Sequence, residues 1–292
     1  MRFLHVSLPG SDRLELAVEA NGGALVLADV IDEAPRDLQD LIERGQSEWK
    51  RVWEMVSQAI RSGVSVTPTS EFAREPAVVR PPTVIAIGLN YAEHAEELGL
   101  DIHADPTIFP LLPNSLAADG GTLTWSRQLT TQLDYECELG VVIGKAAKDV
   151  SIEDALDYVF GYTVVNDMTA RDIQFREQQW TRCKSFDGFS PVGPVVVSAD
   201  ELADPQNLHI LTTVNGVVVQ DSSTANMIRG VAELVSYLSR GTTLLPGTLI
   251  STGTPAGAGI SRNPQVLLKD GDTVVATIET IGSVTTHCNE TD

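Results

Sequence analysis

Positive charge is scarce in this chain. Its 292 residues hold 20 Lys and Arg against 40 Asp and Glu, a formal net charge of -20. Nonspecific nucleic-acid binding rests on cations that neutralise phosphates, so this balance argues against it. It argues equally against an anionic membrane surface. An anionic substrate would need local positive charge to enter. Cysteine is scarce too. Cys137, Cys183 and Cys288 stand far apart with no Cys-x-x-Cys spacing, which excludes a disulfide framework and a thiolate zinc site. A reducing cytoplasm is the expected home. Long apolar runs are missing: TVIAIG and VVIG are far too short to span a bilayer. The opening MRFLHVSLPGSDR turns polar too soon for a secretory signal. Internal repeats and low-complexity tracts are absent.

What is present is an ordinary globular composition, 42% hydrophobic and 21% charged, on a chain long enough to bury a large core. Leu14, Leu16 and Val18 alternate with polar or small residues as in a half-buried strand, and Asn21-Gly22 leads to GGALVLADV as in a hairpin. From Arg36 to Ile60, Leu38, Leu41, Ile42, Trp49, Val52, Trp53 and Val56 recur at helical spacing. Pro68, Pro76, Pro81 and Pro82 then mark a linker. We read a small N-terminal α+β domain over 1–75 and a larger one over 76–292. The larger part is β-rich, with strands in TVIAIGLN, LDYECELGVVIG, YVFGYTVVND, GPVVVSAD, LHILTTVNGVVVQ, GTLISTG and DTVVATIE. An amphipathic helix is expected over Asn226 to Leu238. Strands and long helices do not alternate, so the class is β-rich α+β rather than a doubly wound sheet.

Glu136 and Glu138 lie two apart in an apolar strand, which sends both side chains to one face. Two such carboxylates repel unless something compensates them, and a divalent cation does so most strongly. Taken alone, Glu-x-Glu in a strand reads more readily as a solvated stripe. Asp167 ends another apolar strand, GYTVVND, close to the polar run Thr169-Ala170-Arg171-Asp172. Three carboxylates without a thiolate suit Mg²⁺ or Mn²⁺, which prefer oxygen ligands. In GLNYAEHAEE, Asn90 is placed to cap a helix on which His94 and Glu97, three apart, share a face. That is the composition of a general-base pair, although the same segment also reads as an exposed acidic helix with an incidental histidine. His5, His103, His209 and His287 have no comparable setting. Arg171, Gln174 and Lys184 could grip an anion, or the segment could hold ordinary surface ion pairs of Asp172 and Asp187 with Arg171, Arg176 or Arg182. Thr252-Gly253-Thr254-Pro255-Ala256-Gly257 permits close backbone approach to a ligand, but it lacks the Gly-Lys-Ser/Thr ending of a phosphate-binding loop.

In order and spacing, GLNYAEHAEELG, LDYECELGVVIG, GYTVVNDMTARDIQ, KSFDGFSPVGP, VNGVVVQDSST and LLPGTLISTGTPAGAG resemble the fumarylacetoacetate hydrolase family from about Pro81 to Gly259. The resemblance implies a rolled mixed β-sheet core behind a smaller N-terminal domain, and a homodimer. It implies a Mg²⁺ or Mn²⁺ site at Glu136, Glu138 and Asp167. His94 and Glu97 would be the water-activating pair, with Lys184 in the catalytic set and Arg171, Gln174, Tyr91 and Thr254 contacting substrate. Many members carry Phe-x-Lys after the histidine segment; here the stretch is Thr107-Ile108-Phe109-Pro110-Leu111-Leu112-Pro113, apolar and without the lysine. The resemblance thus implies a metal-dependent hydrolase cleaving a carbon–carbon bond in a β-dicarbonyl or acylpyruvate-type substrate, less charged or bulkier than a small doubly charged 2-oxo acid. Decarboxylation, isomerisation or hydration of a 2-oxo acid is the alternative, and a metal-containing binding protein without turnover is the rival from another class.

Overall fold

The computed structural model describes all of residues 1–292 except 12, 102–104 and 203, so His103 lies outside the described residues. Its centre is a sheet whose inner strands are buried on both faces. Every residue of Cys137–Ile143 and of Val159–Asn166 is buried. Such strands show continuous apolar runs instead of alternation. Among the described residues the sheet has 12 strands. Its main path runs Thr67–Pro68, Gly23–Val26, Leu14–Ala20, Arg2–Ser7, Ser190–Ser198, Val159–Asn166, Cys137–Ile143, Leu249–Ser251, Val84–Gly88, Thr107–Leu111. It is mixed: Leu249–Ser251 runs parallel to Val84–Gly88 and antiparallel to Cys137–Ile143. A five-stranded sheet holds the hairpin His209–Val214 and Val217–Ser223, turned at Asn215-Gly216 with both φ angles positive.

Two apolar cores flank the large sheet. One joins Leu139, Val141, Tyr162 and Val164 to the helix Val231–Ser239 and to Ile210, Ala276 and Ile278 of the smaller sheet. The other joins Phe3, Leu16, Val142, Phe160 and Val196 to Leu41, Val52 and Val56 of the N-terminal helices. Residues before 75 therefore enter the same sheet and the same core as residues after it, through the pairing of Arg2–Ser7 with Ser190–Ser198. No helix of the described residues is long and apolar enough to cross a membrane.

Three local readings change. The helix expected over Arg36–Ile60 is two helices, Leu38–Arg44 and Gln46–Arg61, broken at Gly45, whose φ of 81° suits glycine. The helix expected from Asn226 starts only at Val231, where Glu233 accepts the Gly230 N–H at 3.0 Å. The residues before it are held otherwise: Thr224–Asn226 form a 3-10 turn and Met227 bridges to Tyr91. The strand expected through LDYECELGVVIG is interrupted at Tyr135 and Glu136, between Leu133–Asp134 and Cys137–Ile143.

His5, read as having no functional setting, ties the N-terminal elements together. Its Nδ1 donates to the Pro76 carbonyl at 3.0 Å, and its Nε2 accepts the Leu38 N–H, at a helix start, at 3.0 Å. Burial holds its pKa down at about 4. Between pH 6.5 and 4 the unfolded chain binds a proton that the folded chain refuses, so this contribution is complete above pH 6.5 and lost as the pH falls. The amount is on the order of 3 kcal/mol. His5→Gln is expected to remove that dependence, so the difference in melting midpoint from the wild type should shrink from pH 7 to pH 4.5. A difference constant over that range would refute it.

Candidate active site

Four strand ends meet at one end of the large sheet. Cys137 is registered against Asn166 in an antiparallel pair, so the residue before the first strand and the residue after the second are neighbours. These are Glu136 and Asp167, and the Asp167 N–H donates to the Glu136 carbonyl at 2.8 Å. Glu138 lies one residue into its strand, opposite the end of Leu249–Ser251. Its Oε2 accepts from Ser251 Oγ at 2.6 Å and from the Gly253 N–H at 2.8 Å. Val84–Gly88 ends on the same side and delivers the helix Ala92–Leu98, which carries His94 and Glu97. Glu136, Glu138 and Asp167 are all buried, and each offers an oxygen within 4.8 Å of the others'. The solvated-stripe reading of the two glutamates is thereby excluded.

Burial penalises all three carboxylates, and their neighbours sort them. Burial would raise Glu136, but Lys184 and Arg171 hold it down at about 2. Burial pushes Asp167 up to about 6, with Glu136 adding to the rise against Lys184. Glu138 goes well above the ordinary range through burial and the nearby Asp167 and Glu136 charges. Asp167 Oδ1 is buried without a hydrogen-bond partner among the described residues. An orphaned carboxylate oxygen, an oxygen-only donor set and two carboxylates reluctant to ionise fit a hard dication.

A measurement follows from those shifts. A cation requires Glu138 and Asp167 deprotonated, so its affinity rises with pH through their folded pKa values. The gain in melting temperature with Mn²⁺ or Mg²⁺ should be small at pH 5 and large at pH 8. Without cation the raised pKa of Asp167 acts oppositely on the fold. The folded chain keeps a proton that the unfolded one releases above about pH 4, so this contribution declines as the pH rises through about 6. An equal cation response at pH 5 and pH 8 would contradict this account.

The two buried cations belong to the carboxylates. Lys184 Nζ donates to Glu136 Oε2 at 2.6 Å, Asp167 Oδ2 at 2.6 Å and Thr169 Oγ1 at 2.8 Å. Arg171 donates from Nε to Asp134 Oδ2 at 2.8 Å, from Nη2 to Glu136 Oε1 at 2.6 Å and from Nη1 to Gln174 Oε1 at 2.8 Å. It is fully buried and does not line the cavity, so its grip is on protein carboxylates. The surface partners considered for it serve elsewhere: Asp172 accepts from Thr130, and Asp187 from Asn114. Asp134, which the sequence reading missed, is the anchor of this arrangement. It is buried and also accepts the Gly259 N–H at 2.8 Å and the Ile260 N–H at 3.1 Å.

His94 Nδ1 meets Glu97 Oε1 at 2.7 Å, and His94 Nε2 lies 3.8 Å from Glu136 Oε1. The imidazole thus faces the carboxylate cluster with its far nitrogen held. Glu97 is fixed in turn by the Gly257 N–H at 2.9 Å and the Ala258 N–H at 3.3 Å. The glycine-rich segment 252–257 therefore closes on protein carboxylates, Glu138 at one end and Glu97 at the other. At Gly257, with φ at 106°, a Cβ would strike the Val219 carbonyl oxygen. Asn90 does not cap the helix. Its Nδ2 donates to the Thr252 carbonyl at 2.8 Å and the Arg229 carbonyl at 3.0 Å, tying the helix entry to the glycine segment.

The cavity above the cluster is lined by His94, Glu136, Glu138, Asp167, Gln174, Lys184 and Thr254 on its polar side. Phe109 and Trp180, an edge-to-face pair with centroids 5.5 Å apart, are on its apolar side. The Thr254 hydroxyl donates to the Cys137 carbonyl at 2.9 Å and accepts from Gln220 Nε2 at 2.8 Å. Tyr91 is buried away from this lining, with its hydroxyl unpartnered among the described residues. Leu111, two residues after Phe109, is buried in the core of the N-terminal helices.

Residues 83–289 match the family described as fumarylacetoacetate (FAA) hydrolase C-terminal. The mitochondrial oxaloacetate tautomerase of Rattus norvegicus is 35% identical over 287 residues, 97% of this chain and 90% of the rat protein. Among solved structures, a fumarylacetoacetate hydrolase from the psychrophilic Exiguobacterium antarcticum is 35% identical, with a TM-score of 0.86 over 99% of both chains. A 2-hydroxyhepta-2,4-diene-1,7-dioate isomerase from Mycobacterium marinum is 30% identical, with a TM-score of 0.73 over 99% of this chain and 98% of that one. With the buried triad, the ordered strand ends and this match over most of its length, the chain belongs to the fumarylacetoacetate hydrolase family.

Proposed function

We propose that the chain is a Mg²⁺- or Mn²⁺-dependent enzyme that transfers a proton at the carbon beside the 2-oxo group of a small acid, interconverting keto and enol forms. The observation that carries this reading is His94: buried, oriented by Glu97, and 3.8 Å from a carboxylate of the proposed metal site. Glu136, Glu138 and Asp167 would hold the cation. When bound, it supplies Lewis acidity, drawing electron density from the 2-oxo group and lowering the cost of the enolate. His94 takes the proton from carbon, Glu97 stabilises the imidazolium that results, and the imidazolium gives the proton to the enolate oxygen to complete the enol. Lys184 offsets negative charge developing on the substrate oxygen. Gln174 has its oxygen committed to Arg171, which leaves its amide N–H groups to orient the substrate. Arg171 acts through Glu136 and Gln174 and is a positioning residue. The rat relative's name supports this reading.

Carbon–carbon hydrolysis, the sequence expectation, is the second reading, and the name of the Exiguobacterium relative favours it. There His94 takes its proton from water, which attacks a β-carbonyl. Two assays separate the readings with the Mn²⁺-loaded protein. One follows keto–enol relaxation of oxaloacetate and of a 2-oxo acid with a neutral tail; the other follows acylpyruvate cleavage in ¹⁸O-labelled water. Tautomerisation alone supports the first reading, and ¹⁸O in a carboxylate product supports the second. Neither activity, or full activity after chelation, refutes the proposal. The homodimer implied by the resemblance is part of the same proposal, and light scattering tests it.

A further inference from the structure

The chamber over the carboxylates is nearly full, with a cavity volume of about 10 Å³, room for roughly one water. Directly beside it lies a second chamber of about 450 Å³. The two share Leu89, Phe109 and Trp180, which form the wall between them. Three features set this wall. Leu89 sits in left-handed backbone, φ 57°, where the chain leaves Val84–Gly88 for the histidine helix. Gly88 has no side chain, and a Cβ there would run into the Trp180 indole. Trp180 meets Phe109 edge-to-face. Gly88 thus leaves the space that the indole uses to close the inner chamber.

We propose that the outer chamber is a subsite for an uncharged, apolar substituent on the substrate, and that Trp180 is the residue that determines how far the substrate reaches into it. This rests on the 2-oxo acid reading above and extends it to the rest of the molecule. With room for roughly one water, the inner chamber admits the reacting group only when the Trp180 wall gives way, and the rest of the molecule then extends into the outer chamber. The outer lining includes Leu89, Leu100, Ile108 and the two aromatic rings, with Gln178 and Gln179 as neutral polar groups. Among its described residues it contains Asp101 and no Lys, Arg or His. Asp101 repels a second carboxylate. Lys184 lines the inner chamber and not this one, and Arg171 lines neither. The subsite therefore selects a neutral alkyl or aryl tail over a dicarboxylate of equal length.

The test uses Mn²⁺-loaded protein and two series of 2-oxo acids, one with alkyl tails of rising length and one with the same tails ending in carboxylate. Binding is read by calorimetry and turnover by the assays above. Affinity is expected to tighten roughly threefold per added methylene until the chamber is filled, and to fall at least tenfold when the tail ends in carboxylate. Trp180→Ala should weaken the shortest acid and shift the preferred length upward, with Trp180→Phe intermediate. Gly88→Ala, which displaces the indole, should change the length preference in the wild-type protein without altering the Mn²⁺ response. Binding indifferent to tail length, or carboxylate tails bound as well as neutral ones, overturns the subsite. Length-dependent binding with no turnover of any acid overturns the reaction assigned above and leaves the subsite standing.

Discussion

Glu138→Gln is expected to abolish the stabilisation by Mg²⁺ or Mn²⁺ and to lower turnover by about a thousandfold or more, while the protein stays folded. Several kcal/mol of transition-state charge stabilisation would be lost with the cation, and each 1.36 kcal/mol is a factor of ten. The fold should tolerate the change because Glu138 already resists ionisation: burial and the Asp167 and Glu136 charges raise it well above the ordinary range. An amide removes the like-charge repulsion and keeps an oxygen for Ser251 Oγ and the Gly253 N–H. Glu136→Gln should behave differently. Glu136 accepts from both Lys184 and Arg171, so its loss leaves buried cations short of partners, at a cost on the order of 3–5 kcal/mol. Melting curves with and without Mn²⁺ on both variants check the contrast. If Glu138→Gln keeps the Mn²⁺ response, Glu138 is no ligand; if both variants lose equal stability, the division of labour between them is wrong.

That contrast was only half legible in the sequence. Glu136, Glu138 and Asp167 could be picked out as residue types in apolar strands, yet period-two geometry alone favoured a solvated stripe. What decides the matter is the Cys137–Asn166 register, a long-range pairing that no local pattern encodes. The grip of Arg171 on protein carboxylates depends on Asp134, and a signal for Asp134 was present. Asp134, Glu136 and Glu138 repeat at spacing two through a run whose other members are apolar. Asn90 shows the opposite failure, a local capping preference overridden by the Thr252 and Arg229 carbonyls brought up by distant segments. The helix break at Gly45 was visible as a glycine in the middle of the apolar periodicity. The central strands, buried on both faces, carry no alternation from which a sheet order could be read. The rolled architecture followed from resemblance. Trp180 lies in the polar run Gln178-Gln179-Trp180-Thr181-Arg182, where nothing local marks it as a cavity wall.

His94→Ala is expected to reduce turnover by about 10²–10⁴-fold with the Mn²⁺ response intact. His94 Nε2 lies 3.8 Å from Glu136 Oε1, while Nδ1 is occupied by Glu97. A base so placed reaches a substrate held on the carboxylate side, and it is dispensable for holding a cation on three oxygens. Glu97→Gln should cost less, roughly ten- to a hundredfold. A glutamine oxygen in the place of Oε1 still faces His94 Nδ1 and the Ala258 N–H, while the Gly257 N–H loses its acceptor on Oε2, so position survives in part and the charge that stabilises the imidazolium is lost. Solvent-deuterium incorporation at the carbon beside the 2-oxo group separates the roles. It should nearly vanish in His94→Ala and persist, slowed, in Glu97→Gln. Loss of Mn²⁺ binding in His94→Ala would instead make the histidine a ligand. Near-normal exchange in that variant would move the proton transfer to Lys184, the cavity-lining titratable group outside the carboxylate triad, and would require its three carboxylate and hydroxyl contacts to loosen when substrate binds.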